Sequence, residues 1–353
     1  MQKVTAKIQL NAIQNNAKAF KTLTKNRLFA VVKANAYGHG AEEVVSCLSS
    51  VADGFAVALI DEAIAIRTAA CGKDILVFTP PMSEEEGYAL AVNSFMATVP
   101  DLRTAKLLAC VCEKYRLPLR AHLKVNTGMN RYGANLSMLG KVCKYLENHP
   151  FLKVAGVYSH LYTCQREVAE GQRALFVQAE RIVKRRYPNA IAHLSATYGG
   201  LLGKEFAFDG VRIGLGLYGY IPMDISADEK RVADNLHLQK AMSVSAVVTT
   251  VRKASFGGAG YGAACIDKKQ DLSVIRVGYA DGFLRNKKGG ILSAEDKSQA
   301  LCMDAAIVNG RKKQGEKAVV LFDADEIAKK ANTISYEVLC AATRRAEFKY
   351  IYE

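Results

Sequence analysis

Leu119–His160, LRAHLKVNTGMNRYGANLSMLGKVCKYLENHPFLKVAGVYSH, sets the rhythm from which the fold is read. Leu119–Val125 and Val154–His160 are β-rich runs. Between them, Ser137–Asn148 spaces its apolar residues as an amphipathic helix does. The same alternation extends outward in both directions. The other runs are Leu28–Ala34, Gly54–Ala58, Ile75–Thr79, Phe95–Val99, Ile191–Ser195 and Val211–Leu217, with helix-like segments such as Leu102–Tyr115 and Glu170–Arg185 among the intervals. Eight strand–helix units of this length predict an α/β fold, a closed (β/α)8 TIM-type barrel. An open doubly wound sheet shares the same local pattern.

Beyond residue 220 the pattern changes. Residues 221–236 are polar and read as turns. From about 237 the segments Ser243–Val251, Ser273–Val277, Ala305–Val308 and Ala318–Phe322 are short, β-branched and separated by glycine-containing turns. The expected division is a barrel over 12–225 and a mainly-β C-terminal domain over 237–353. The N-terminal strand within 1–11 is expected to join the second domain, because Val4–Leu10 alternates. A chain of 353 residues is too long for one ordinary core, which agrees with two domains.

Composition narrows the class. Half the residues are hydrophobic and 23% are charged, as in a globular protein. The most apolar run, Phe55–Ile66, is broken by Asp61 and Glu62 and is too short to span a bilayer. The N-terminus has no apolar signal core, so a cytoplasmic location is expected, with no membrane partner. Nine scattered cysteines read as reduced thiols, and Cys110-Val111-Cys112 is not a zinc or redox motif, so no metal is expected. The net charge of +14 is spread along the chain. Clusters such as Lys184-Arg185-Arg186 and Arg311-Lys312-Lys313 lack interleaved aromatics, which favours a solvated basic surface over a nucleic-acid partner.

In a β/α barrel the chemistry lies at the C-terminal ends of the strands. Lys33 lies at the end of the first run, Lys124 at that of the fifth and His160 at that of the sixth; Thr197 follows the seventh and Arg212 starts the eighth. The segment Val31-Val32-Lys33-Ala34-Asn35-Ala36-Tyr37-Gly38-His39-Gly40 is the most informative. A lysine with an apolar approach loses proton affinity by desolvation and can form a Schiff base. A buried, salt-bridged lysine is the structural alternative.

This segment closely resembles the cofactor-binding signature of the alanine racemases, which are pyridoxal-phosphate enzymes. The resemblance continues, in family order, through Lys124-Val125-Asn126-Thr127-Gly128-Met129-Asn130-Arg131, Val211-Arg212-Ile213-Gly214-Leu215, Gly260-Tyr261-Gly262, Val277-Gly278-Tyr279-Ala280-Asp281-Gly282, Cys302-Met303-Asp304 and Ser335-Tyr336-Glu337. It implies a barrel carrying pyridoxal 5'-phosphate, a C-terminal β domain and a head-to-tail homodimer with shared sites. It also implies interconversion of L- and D-alanine by two bases. Lys33 would hold the cofactor as an internal aldimine and act as one base; Tyr261, from the partner subunit, would be the other. Two groups on opposite faces of Cα suit a racemisation. Arg212 would face the pyridine nitrogen, with His160 bonded to it. A guanidinium has no acceptor, so it donates to that nitrogen and leaves it unprotonated. Tyr37, Thr197, the N–H groups of Gly214 and Leu215, and Tyr336 would hold the phosphate. Arg131 and the N–H of Met303 would take the substrate carboxylate, and Tyr279 would line the entrance. Lys124 matches a lysine that many members carry as a carbamate.

Some positions depart from the family. Ala196-Thr197 replaces a common Asn-Ser, Asn126 an aspartate, Asn130 a glycine and Cys302 a serine, and a glycine run, Gly257-Gly258-Ala259-Gly260, precedes Tyr261. These bear on rate and substrate range rather than reaction class. The alternatives are a serine or broad-specificity racemase, and a basic-amino-acid decarboxylase, which shares the architecture but lacks the Lys33–Tyr37 signature. A non-catalytic pyridoxal-phosphate carrier is a single barrel, which the segments after 237 disfavour.

Overall fold

The computed structural model describes residues 4–261, 265–286, 289–290, 292 and 298–352. Gly262 of the Gly-Tyr-Gly motif and residues 1–3 of the expected N-terminal strand lie outside them. The chain divides into two units. One comprises Gln14–Ala34 and Ala41–Leu238; the other comprises Met1–Ile13, Asn35–Gly40 and Gln239–Glu353.

In the larger unit eight parallel strands form a nearly closed barrel. They are β2 (Arg27–Val31), β3 (Gly54–Val57), β4 (Asp74–Val77), β5 (Met96–Val99), β6 (Leu119–Lys124), β7 (Leu152–Tyr158), β8 (Ile191–His193) and β9 (Gly210–Ile213). Each corresponds to one of the eight sequence runs. The runs are continuously apolar because both faces are covered: β3, β5 and β9 are buried at every position. Neighbours pair in chain order from β2 to β8, and β9 closes on β2 from Arg27↔Gly210 to Ala30↔Ile213. The seam between β8 and β9 is bridged by Asp209 N–H to the Ala192 carbonyl and Arg212 N–H to the Ser195 carbonyl, both 2.9 Å. Helices such as Leu102–Tyr115 and Arg166–Lys184 bury one stripe each, as their apolar periodicity requires. Residues 221–236, whose composition predicts turns, contain a helix, Ala227–Asp234. Ser226 caps it and the Glu229 side chain returns to the Ser226 N–H, so a capping box outweighs its polar composition.

The smaller unit is built on β1 (Thr5–Gln9) and the long β10 (Met242–Ala254). β1 runs antiparallel to β10 and parallel to β17 (Glu347–Ile351). β10 also pairs with β11 (Gln270–Ile275) and with β16 (Lys317–Leu321), shifting register by a bulge against each. β15 (Ala306–Asn309) and β14 (Ser298–Leu301) extend the β11 side, and a short ladder joins β12 (Arg285–Asn286) to β13 (Gly289–Gly290). The expected N-terminal strand therefore joins the β sheet. The unit is mainly β but also carries the helices Ala324–Ala331 and Ser335–Ala341, which the β-branched patterning around them does not announce. All nine cysteines are free thiols. Among the described residues no helix is long and apolar enough to cross a membrane, and no group of His, Cys, Asp and Glu is placed to hold a metal.

Candidate active site

The signature segment takes a form that no local pattern announces. β2 ends at Val31, and the Val32 N–H still bonds the Ala56 carbonyl at 2.9 Å. Lys33 therefore stands just past the strand rather than at its last position, and it opens a helical turn, Lys33–Gly38. That turn is left-handed: Ala34, Asn35, Ala36 and Tyr37 all have φ between 52° and 54°, and Gly38 has φ 80°. Left-handed helix costs about 1–2 kcal/mol per L-residue, so the surroundings must impose it. Glu62 Oε1 accepts the Ala34 N–H at 2.7 Å, while its Oε2 accepts those of Ala58 and Leu59. His39 Nδ1 donates to the carbonyls of Ala36 and Tyr37, both 3.0 Å, and burial pushes its pKa down to about 4, so it does so as neutral imidazole. At Gly38 any Cβ would lie 2.4 Å from the Leu339 carbonyl oxygen, so only glycine fits. Sequence patterning does not single out Glu62, which looks like an ordinary first-turn acid of the helix Ile60–Ile66. Glu62→Ala leaves three N–H groups to solvent and is expected to destabilise the protein by about 1–2 kcal/mol; thermal denaturation beside a Glu62→Gln control, which keeps one acceptor, measures it.

The remaining barrel residues converge. Lys124 ends β6, is buried, and lies 4.6 Å from the Tyr158 ring centroid. Its amine is held well below the usual lysine range by burial first, then by Arg212 and Arg131. His160, two residues past the end of β7, is likewise pushed well down by burial and then by Arg212, Lys124, Arg131 and Lys33. Every charged neighbour named for these two groups is a cation. Arg212, on β9, is buried and keeps its proton at neutral pH, its pKa lowered only to about 10 by burial. Its Nη1 donates to His193 Nδ1 and the His193 carbonyl, both 2.8 Å. Its Nη2 reaches the carbonyls of Ser159 (2.6 Å) and Leu194 (2.9 Å) and His160 Nδ1 (3.3 Å). The expected His160–Arg212 contact is present, but His193 is the closer imidazole. Five acceptors occupy the four terminal N–H groups, and Nε–H is the donor that remains.

Thr197 opens the short helix Thr197–Leu201, and its Oγ1 accepts the Gly216 N–H at 3.0 Å. That bond sets the hydroxyl beside the turn Leu215–Tyr218, at whose N-terminus Gly214 and Leu215 lie and where the first N–H groups have no intrahelical acceptor. The departures at 126 and 130 explain each other. Asn126 Oδ1 accepts the N–H groups of Gly128 and Asn130, and its Nδ2 donates to Asn130 Oδ1 at 2.9 Å. Asn130 has φ 55°, a conformation asparagine tolerates where the family often has glycine. Gln172 is a polar residue on the buried stripe of the helix Arg166–Lys184, beside Ala169, Phe176, Ala179 and Val183. It donates to Thr127 Oγ1 and the His160 carbonyl and accepts from the Tyr162 N–H, fixing the loop that carries His160.

In the smaller unit Tyr37 and Tyr336 lie with ring centroids 5.8 Å apart. The Tyr37 phenol is pushed well above its usual range, by burial first and then by Tyr336 and Cys340. The Tyr279 N–H bonds the Cys302 carbonyl and the Ala280 N–H the Met303 carbonyl, each 3.0 Å, so Tyr279 and Met303 are neighbours. Tyr261 follows Gly260, where a Cβ would come 3.3 Å from Cys302 Sγ. Tyr261 is 75% exposed, Met303 53% and Phe256 85%.

Fold and site thus define a β/α-barrel enzyme with a mainly-β C-terminal domain, its cationic centre at the C-terminal ends of the barrel strands. The model of the alanine racemase N-terminal domain matches residues 8–222, and that of the C-terminal domain matches 241–350. The chain is 30% identical to the alanine racemase of Prochlorococcus marinus, covering 99% of this chain and 95% of the relative. It is 33% identical to alanine racemase 1 of Bacillus subtilis, covering 96% and 91%. The solved alanine racemase of Clostridium difficile superposes with a TM-score of 0.90 at 26% identity, over 99% of this chain and 96% of that one. The chain belongs to the alanine racemase family. The racemase reading is the one supported, and the decarboxylase alternative is not favoured.

Proposed function

We propose that this protein interconverts L-alanine and D-alanine on pyridoxal 5'-phosphate, as a homodimer with shared sites. The observation that carries the reading is the cluster of buried basic side chains at the strand ends: Arg212 Nη2 lies 3.3 Å from His160 Nδ1, and the Lys124 amine and the Arg212 guanidinium lie 4.6 and 5.2 Å from the centroid of the same Tyr158 ring. Such a site calls for an anion, and a phosphorylated cofactor with a phenolate oxygen, joined by a substrate carboxylate, matches it. When bound, the cofactor supplies an electron sink for the substrate's Cα.

The protein's part is placement and proton movement. The Lys33 amine takes or returns the Cα proton on one face, and the Tyr261 phenol serves the other. Tyr261's exposure within its own chain fits delivery to a partner, and Phe256 and Met303, exposed in the same unit, offer apolar surface for that partner. Arg212 donates Nε–H to the ring nitrogen. Thr197, Gly214, Leu215, Tyr37 and Tyr336 hold the phosphate, Arg131 and the Met303 N–H orient the carboxylate, and Tyr279 borders the entrance. Burial and then Arg212 and Arg131 disfavour the charged form of the Lys124 amine, which favours its nucleophilic form. Its nitrogen adds to carbon dioxide, releases a proton and becomes a carbamate anion that pairs with Arg131. D-alanine is then made in the cytoplasm as a cell-wall precursor, and nine free thiols fit a reducing compartment.

Incubating the holoenzyme with each L-amino acid and measuring the D-enantiomer tests this reading. Alanine should be preferred over serine, because Tyr336 and Tyr261 narrow the pocket. One extra heavy group is discriminated by about 1–3 kcal/mol, so weak serine turnover is expected. Tyr336→Asn should raise the serine-to-alanine ratio of kcat/KM. A wild-type enzyme favouring serine, or an unchanged ratio in the variant, would refute the pocket argument.

A further inference from the structure

We infer that Arg212 fixes the proton positions of two further histidines, His193 and His122, and that this pair are positioning residues locking the guanidinium as a donor. The functional half of this inference rests on the proposed role of Arg212 at the cofactor's ring nitrogen. The tautomer half rests on geometry alone. Arg212 can only donate, so His193 Nδ1, 2.8 Å from Nη1, is an unprotonated acceptor. The neutral His193 ring then carries its proton on Nε2. That nitrogen lies 2.7 Å from His122 Nδ1, which must accept, so the His122 proton is on Nε2 as well. No other arrangement satisfies both contacts with neutral rings. Burial and the charge of Arg212 hold both imidazoles neutral.

The pair is a built feature. Phe29, His122 and His193 come from alternate strands of the barrel, where apolar side chains ordinarily fill the interior. His193 is stacked between Phe29, at 5.5 Å and 22°, and Tyr158, at 5.1 Å and 6°. Room for His122 is made by Gly156, where a Cβ would lie 2.5 Å from its Nδ1 and Cε1. The chain of imidazoles ends on a buried donor, His122 Nε2, without an acceptor among the described residues. An unpaired buried donor destabilises, so packing alone would favour two apolar residues here. What the relay provides is a fixed acceptor against Nη1. With Nη2 also anchored, the plane of the guanidinium cannot turn and Nε–H keeps one direction.

Nitrogen-15 NMR of histidine-labelled holoenzyme at neutral pH, assigned with single-site variants, reads the ring protons directly. Both His193 and His122 should be neutral with the proton on Nε2. An Nδ1-protonated ring or an imidazolium at either position overturns the relay. The positioning role is read from His193→Leu beside His193→Asn, whose amide oxygen can still accept from Arg212. In H193L, His122 loses its donor and should show both tautomers, the bound cofactor's visible absorbance should shift, and kcat should fall by on the order of tenfold or more with KM little changed. H193N should recover most of both readouts. A folded H193L with native absorbance and kcat overturns the positioning role. Arg212→Met that leaves the absorbance unchanged overturns the ring-nitrogen assignment instead. If H193L does not fold, the tautomers of the wild-type enzyme and the absorbance of H193N still decide: an Nε2 proton on both rings with native H193N absorbance sustains the inference, and either failing overturns it.

Discussion

Lys33→Ala is expected to abolish the visible absorbance of the lysine-bound cofactor and to lower kcat/KM by on the order of 10⁴, the upper end of what one positioned acid–base group contributes. The size follows from two duties falling on one amine: covalent attachment of the cofactor and proton transfer at Cα. The backbone makes those duties possible. The Val32 N–H still belongs to the barrel ladder, and the next residue begins a turn of opposite hand clamped by Glu62 through Ala34. Lys33 is thus held by an over-determined backbone on each side. The folded state should survive the substitution, since alanine is accommodated at the opening of the turn. Added methylamine should restore part of the activity by replacing the missing amine, which separates chemical loss from misfolding. Absorbance and stopped-time D-alanine formation are the measurements. A Lys33→Ala enzyme that racemises freely would end the assignment.

The second large effect is a recovery. Lys33→Ala and Tyr261→Phe chains should each be inactive alone and regain activity when mixed. If Tyr261 serves the partner's site, a mixed dimer holds one intact site and one doubly damaged site. Random exchange makes half the dimers mixed, so about one quarter of wild-type activity should return. If Tyr261 served its own chain, every site in the mixture would stay damaged. The motivation is the tyrosine's 75% exposure, with its carbonyl held by Arg285 Nη2 at 3.0 Å so that the segment is tethered while the ring projects. Exchange is verified with differently tagged chains. Verified exchange with no activity would place Tyr261 in cis or outside the reaction.

Much of the site was legible because family motifs sit at strand ends and strand ends are legible. Lys124, His160 and Arg212 meet as their positions in the runs suggested. Residues without a local signal were not. His122 and His193 lie within two of the strand runs and nothing local singles them out; only the closed barrel brings their ring nitrogens to 2.7 Å, across 71 residues of chain. Glu62 looks like a surface residue of its helix until a loop folds back onto it, and Gln172 lies on the apolar stripe of its helix with partners that only the folded chain supplies. The helix Ala227–Asp234 carried its capping box in plain view, but its polar composition pointed to turns.

By itself the sequence determined eight buried strands alternating with helices and the change to β structure after them, while the closure of β9 on β2 was decided by the tertiary structure. Continuous apolar runs are what strands buried on both faces require, alternation is what a sheet with one covered face requires, and both are properties of neighbouring residues. The tertiary structure decided the hand of the turn at Lys33. Of Ala34-Asn35-Ala36-Tyr37 only asparagine tolerates φ near 53°, and a run of four L-residues there resists it. The turn exists because the Glu62 carboxylate accepts the N–H of Ala34, the His39 imidazole donates to the carbonyls of Ala36 and Tyr37, and the Leu339 carbonyl oxygen limits the space at Gly38. The partners at its two edges, Glu62 and Leu339, are distant in sequence and become neighbours of the turn only when the chain has folded.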